Sequence, residues 1–202
     1  YEMLRSLVGS EMCIRDRVNM DSLISKVGNV TDGLKRMSKL VISSVSGAAA
    51  GAGVSLAFSG DFVVCADNAK FIMAFVNLGL VPDTGGTYLF VKSLGIQKAM
   101  ELCVTGRPMK AQEAKDAGMV YDVVPAEELD DSVMKLAKKF ASGPLLSYKN
   151  IKKQIYQAGL ADYKKYLDEC EIPTQRECAA SSDFIEGVKA FMEKRKAEFK
   201  GE

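Results

Sequence analysis

Between Asp21 and Leu40 the apolar residues Leu23, Ile24, Val27, Val30, Leu34, Met37 and Leu40 recur at helical spacing. That pattern predicts an amphipathic helix packed on a sheet, despite Gly28 and Gly33. The runs then shorten: residues 41–45 read as a strand, 47–53 as a glycine-alanine turn, and 54–59 as a buried helix beginning there. Residues 62–65 are β-branched and aromatic, as in a strand, and lead through Asp67-Asn68 to a short strand around Phe71. Beyond Pro82–Gly86 come helices over 87–91 and 96–104, the second ended by Gly106 with Pro108 following. A helix over 111–117 closed by Gly118 and a strand over 119–124 stopped by Pro125 complete the series. Strands and helices alternating through short connections predict an α/β fold.

Past Ala126 the strands cease. Helix formers and lysines predict helices over 127–142, 145–158, 161–170 and 183–199. In the last of these Asp183 and Glu186 form an N-terminal capping pattern, and Phe184, Val188, Phe191 and Arg195 share one face. The chain thus divides into a leader (1–17), a core (18–125) and a C-terminal helical lobe (126–202) that packs on the core or on another subunit. The leader fits nothing after it. A weak stripe of Met3, Leu4, Leu7 and Val8 gives way to mixed charge, with neither the apolar run nor the cleavage site of a signal peptide. It resembles translated sequencing adapter, so we read it as foreign and the chain as shortened at its start.

Composition removes several function classes. The 202 residues suffice for one well-packed domain. Balanced charge, with 27 Lys and Arg against 26 Asp and Glu, and no basic stripe with interleaved aromatics, argue against nucleic acid as a partner. The absence of histidine excludes His-based triads and His-ligated metal sites in this chain, leaving acid–base chemistry to carboxylate, lysine, tyrosine or cysteine. The five cysteines are widely spaced with no C-x-x-C, which points to neither disulfides nor zinc and to a reduced, cytoplasmic setting. Residues 40–60 carry no charge, but their Ser and Gly content and flanks do not match a membrane span.

Two stretches carry candidate chemistry. Ser46-Gly47-x3-Gly51-Ala52-Gly53 precedes an apolar helix. Its small residues either permit close strand–helix packing or leave the first N–H groups of that helix open to an oxyanion. The spacing is that of neither G-x-G-x-x-G nor G-x4-GK[ST], so it is not a nucleotide cradle of those types. Further on, Asp83 stands between Pro82 and Thr84-Gly85-Gly86. It reads either as a turn or cap residue, or as an acid that Leu78, Leu80, Val81, Tyr88 and Leu89 surround with apolar surface, raising its pKa towards the range for proton shuttling.

Five ordered stretches resemble the crotonase superfamily, the enoyl-CoA hydratase/isomerase family. They are Ser46-Gly47-x3-Gly-Ala-Gly; the run from Asp61 to Phe71; Leu78-Gly79-Leu80-Val81-Pro82-Asp83-x-Gly85-Gly86-Thr87; the run from Thr105-Gly106-Arg107 to Gly118-Met119-Val120; and Phe191-Met192-Glu193-Lys194-Arg195-Lys196-x-Glu198-Phe199. The resemblance covers about residues 40–202. It implies a spiral of ββα units with a C-terminal helical trimerisation lobe, homotrimers or hexamers, and an acyl-CoA substrate whose thioester oxygen is held by two backbone N–H groups. No separate cofactor is implied; coenzyme A enters as part of the substrate. One N–H donor falls on Ala52, and the other belongs to a glycine-alanine-Asp motif that this chain lacks before Val18. Phe191 and Lys194 match positions that flank the adenine and phosphate of coenzyme A, often across a subunit interface; without the resemblance they read as a core Phe and a solvated Lys.

The departures discriminate within the family. The two glutamates with which hydratases add water fall at Ser55 and Phe75, neither of which transfers a proton usefully. Asp83 matches the aspartate of the isomerases, and its surroundings look most like the epoxyphenylacetyl-CoA isomerase branch. The resemblance therefore implies an acyl-CoA isomerase with Asp83 as the proton shuttle and the Ala52 N–H holding the enolate. Two alternatives stay open: a non-catalytic acyl-CoA-binding or assembly subunit, and a hydrolase acting on an aryl-CoA.

Overall fold

A computed structural model describes residues 20–201, with side chains from Ile24 onward; the leader over 1–17 lies outside them. Helix α1, Met20–Arg36, is followed by β1 (Ile42–Val45), β2 (Ala48–Ala50) and α2 (Ala52–Ala57). Next come β3 (Phe62–Ala66), β4 (Lys70–Ile72), a 3-10 turn over Ala74–Leu78, α3 (Gly86–Leu94) and α4 (Ile96–Thr105). Then follow β5 (Met109–Lys110), α5 (Ala111–Asp116) and β6 (Asp122–Val124).

The chain lays one strand in each of two sheets per turn of a spiral. One sheet has the order β1-β3-β6 with every pair parallel, Ile42 opposite Phe62 and Val64 opposite Asp122. The other has the order β2-β4-β5, with Ala48 opposite Lys70 in parallel and Phe71 opposite Met109 antiparallel. Parallel strands need crossovers, and the helices supply them while covering the sheets. Within the core Phe58 stacks between Phe71 at 4.7 Å and Phe90 at 5.9 Å.

Several sequence expectations change here. The turn expected over 47–53 contains a strand, β2: alanine has no strand preference of its own, but Ala48–Ala50 finds a partner in β4. The strand expected over 119–124 is confined to Asp122–Val124. Helix α1 stops at Arg36 and packs against the C-terminal helices rather than a sheet. Its buried face is Ile24, Gly28, Thr31 and Lys35, while Val30 and Met37 are exposed. Thr31 is buried because it meets the hydroxyl of Tyr163, and the Lys35 ammonium lies over the rings of Tyr156 and Tyr163. Burial lowers the Lys35 pKa to about 8.

The C-terminal part comprises α6 (Leu129–Ala141), α7 (Leu145–Gly159), α8 (Tyr163–Tyr166), a π-helical turn over Leu167–Glu171, α9 (Ile172–Ala179) and α10 (Ser182–Glu193). Tyr163 and Leu167 belong to the same apolar cluster as the spiral strands. Asp61 fastens α7 to the spiral: its carboxylate receives Lys152 Nζ at 2.7 Å, the Tyr156 hydroxyl at 2.7 Å and the amide of Val41 at 2.7 Å. The last helix ends at Glu193 rather than continuing to 199, because Lys194 adopts a left-handed backbone with φ 54°. Its N-cap is Ser181, which accepts the Phe184 amide. Asp183 and Glu186 instead bind the returning tail, through the amides of Lys200 and Gly201 and through Arg195 and the Glu198 amide.

Candidate active site

The site is built on a tight turn. Thr84 at φ 57° and Gly85 at φ 84° are both left-handed, and the Gly86 amide donates to the Asp83 carbonyl at 3.0 Å. Two consecutive positive φ values closed by that bond make a type I′ turn over Asp83–Gly86. Glycine suits the second place for a further reason: a Cβ on Gly85 would stand 1.9 Å from the Tyr163 hydroxyl oxygen. Threonine in the first place is strained by about 1 kcal/mol. It is held there by burial and by its hydroxyl, which donates to the Asp83 carbonyl at 2.7 Å.

From one side, Ser55 Oγ donates to the same Asp83 carbonyl at 2.9 Å. Ser55 lies one turn into α2, whose first residue is Ala52. The N–H of a first helical residue has no acceptor inside its own helix. Gly51, with φ 55° and its own amide given to Ile72, turns the chain into that helix, and a Cβ on it would press on the Phe75 ring at 3.6 Å. Ser55 therefore couples the helix start at Ala52 to the Asp83 turn. Ser55 and Phe75, the positions at which the resemblance places hydratase glutamates, act here as a clasp and a wall.

From the other side comes a helix that sequence reasoning placed outside the site. Gln175 accepts the Val81 amide at 3.0 Å and donates to Asp83 Oδ2 at 3.4 Å. Both oxygens of Glu171 accept the Gly85 amide, at 3.0 and 2.9 Å, and the Thr84 amide also favours the Glu171 carboxylate. The Tyr163 hydroxyl lies 3.2 Å from the Thr84 carbonyl. The signal was present: Tyr163, Leu167, Glu171 and Gln175 recur every fourth residue. In a uniform α-helix such a row drifts round the axis. The wider π turn over Leu167–Glu171 takes up the drift, so all four remain buried in line. Pro173, with no N–H for the ladder, follows that turn.

Asp83 is half-buried as a residue, yet its Oδ1 is sealed from solvent and has no hydrogen-bond partner among the described residues. Burial pushes its carboxyl up to about 6, while the Thr84 hydroxyl and the Gln175 amide pull the other way. Tyr88 and Leu89 are buried as expected, but the carboxyl also has polar company in Thr84 and Gln175. Glu171 is pushed further, to about 8, by burial and by the Asp83 charge, with the Gly85 and Thr84 amides opposing. Two neighbouring acids with separated pKa values can carry different protonation states at neutral pH.

Phe191 and Lys194 are not brought to Asp83 within one chain. Phe191 is 59% exposed on the last turn of α10, and Lys194 is the exposed residue that ends it. The middle of α10 does lie against the segment that leads to the site: Gly187 faces the Leu78 backbone, where a Cβ would come within 2.7 Å.

Comparison with known proteins agrees with this architecture. The family profile for enoyl-CoA hydratase/isomerase matches residues 10–202. The chain is 36% identical over 200 residues to trans-2-decenoyl-[acyl-carrier-protein] isomerase of Streptococcus mutans, covering 99% of this chain and 74% of that protein. It is 42% identical over 168 residues to 1,2-epoxyphenylacetyl-CoA isomerase of Escherichia coli, covering 83% of this chain but 64% of that one. A crystal structure of an enoyl-CoA hydratase from Mycobacterium avium subsp. paratuberculosis superposes with a TM-score of 0.84 at 31% identity, over 89% of this chain and 73% of the other. The profile match and these relatives cover most of the chain, and the chain belongs to the enoyl-CoA hydratase/isomerase family.

Proposed function

We propose that this protein is an acyl-thioester isomerase in which Asp83 moves a proton between two carbons of the substrate. The observation that carries the reading is Asp83 Oδ1, buried and unpartnered on a turn held from both sides. A buried polar atom without a partner is expensive unless a ligand completes it. With a pKa of about 6, Asp83 is ionised at neutral pH yet basic enough to accept a proton. It takes the proton from C2 or C4 of a thioester, the enolate oxygen rests on the Ala52 N–H, and the proton returns two carbons away. Hydration is disfavoured because Ser55 and Phe75 stand where the resemblance puts the water-activating acids.

Two of the relatives are named isomerases, which supports the same choice. Their substrates differ in carrier, one on acyl carrier protein and one on coenzyme A, and we assign coenzyme A here. Phe191 and Lys194, exposed on a single chain, would meet the adenine and phosphate of a thioester bound to a neighbouring subunit of a homotrimer or hexamer. The test is to incubate the intact protein with a 3-enoyl-CoA and with a phenylacetyl-CoA epoxide, following the products by chromatography. A conjugated 2-enoyl thioester or a rearranged epoxide is expected. A 3-hydroxyacyl product or free coenzyme A would replace isomerisation by hydration or hydrolysis, and tight binding without turnover would leave a non-catalytic binder.

A further inference from the structure

The second buried acid has no place in that one-acid scheme. Glu171 is 1% exposed and comes from the helical part, far along the chain from Asp83. Both its oxygens converge on the Gly85 amide, and its helix is wound with a π turn that keeps it in line with Tyr163 and Gln175. We propose that Glu171 is a positioning residue for Asp83: seated on the amides of the left-handed turn, it holds the turn in the conformation that keeps Asp83 Oδ1 buried and uncommitted.

Three features support this. The turn is strained at Thr84 and needs an outside restraint, and amides that converge in such a turn attract an acceptor oxygen. Asp83 and Glu171 are close enough for one charge to oppose the other, so two ionised carboxylates are disfavoured. The remaining ionisable neighbours do not neutralise Glu171. Tyr163 and Tyr166 on its own helix stay protonated, their pKa values raised chiefly by burial. Lys164 is committed to Asp168 in an exposed pair; α1 presents Ile24, Ser25, Gly28 and Asn29, all uncharged, to the recess beside Glu171, and its Lys35 lies over the Tyr163 ring. Between about 6, the raised value for Asp83, and about 8, that for Glu171, Asp83 is thus ionised and Glu171 protonated, and ionising Glu171 sets a second negative charge against that of Asp83.

The proposal rests on the isomerase reading, and its test separates the two. In the intact protein, kcat should show an alkaline limb near pH 8. Glu171→Gln, whose amide mimics the neutral acid and still offers an oxygen to Gly85, should abolish that limb and leave the acid limb in place. Glu171→Leu removes the acceptor and should lower kcat by about 10²-fold, as misplacement of a reacting group does, with KM nearly unchanged. An alkaline limb that survives in Glu171→Gln, or wild-type kcat in a folded Glu171→Leu, would overturn the proposal. Independently of turnover, the Gly85 amide resonance should titrate with Glu171 in the wild type and not in Glu171→Gln. A Gly85 amide that exchanges freely and does not titrate would overturn it even if the protein isomerises. A wild type without isomerase activity would sink the isomerase reading and leave the Gly85 resonance to decide the clamp.

Discussion

Asp83 is set apart because the residues round it leave one of its oxygens alone. Oδ2 has Gln175, the carbonyl has Ser55 and Thr84, and Oδ1 has no hydrogen-bond partner among the described residues. With the carboxyl raised to about 6, kcat/KM should rise through that pH as the base form appears, which a pH profile measures. Gly85→Ala should destabilise the protein by about 2–3 kcal/mol in urea titrations, since it adds left-handed strain and drives a Cβ into Tyr163. At this scale the sequence was informative about Asp83 and Ala52, because proline and small residues mark a turn and a helix start in local patterns. For Glu171 and Gln175 it carried only a spacing. Their row is spaced by four, and such spacing shares a face only if the helix contains a wider turn, which local periodicity does not announce.

Among elements, the helix from Tyr163 to Ala179 and the clasp at Asp61 join the C-terminal helices to the spiral. Asp61→Ala would leave the Lys152 ammonium buried without its carboxylate, and a loss of about 3–5 kcal/mol is expected by chemical denaturation. Asp61 had been legible as part of a family motif, but its partners lie some ninety residues away and only the fold shows them. The same holds for β2, three alanines that become a strand through pairing with β4 rather than through propensity. Glu171 gives this junction a pH dependence. Its folded pKa, about 8, lies above its ordinary value, so its contribution to stability is full below pH 4.5 and lost as pH rises through 8. Glu171→Gln should flatten the fall in thermal midpoint between pH 5 and about pH 8.

For the whole molecule, the alternating strands and helices were enough to give the class of fold and, with the motifs, the spiral. The path of the chain between two sheets, with β4 and β5 adjacent in the same one, was not readable from them. Among the described residues no helix is long and apolar enough to cross a membrane. Leu146, Ile151 and Ile155 on α7 and Phe191 on α10 are exposed. If Lys194 serves a neighbour's site, mixing Asp83→Asn with Lys194→Ala chains after dissociation should restore coenzyme A affinity and turnover at sites combining an intact Asp83 with an intact neighbouring Lys194. No recovery would confine the site to one chain.

The most direct test of the central claim follows the proton. With a 3-enoyl-CoA in deuterated water, NMR of the thioester protons should show the intact protein moving the double bond and exchanging hydrogen at C2 or C4. Asp83→Asn should bind the same thioester with similar affinity while both processes slow by about 10²–10⁴-fold. An Asp83→Asn protein that isomerises and exchanges at the wild-type rate would contradict the account.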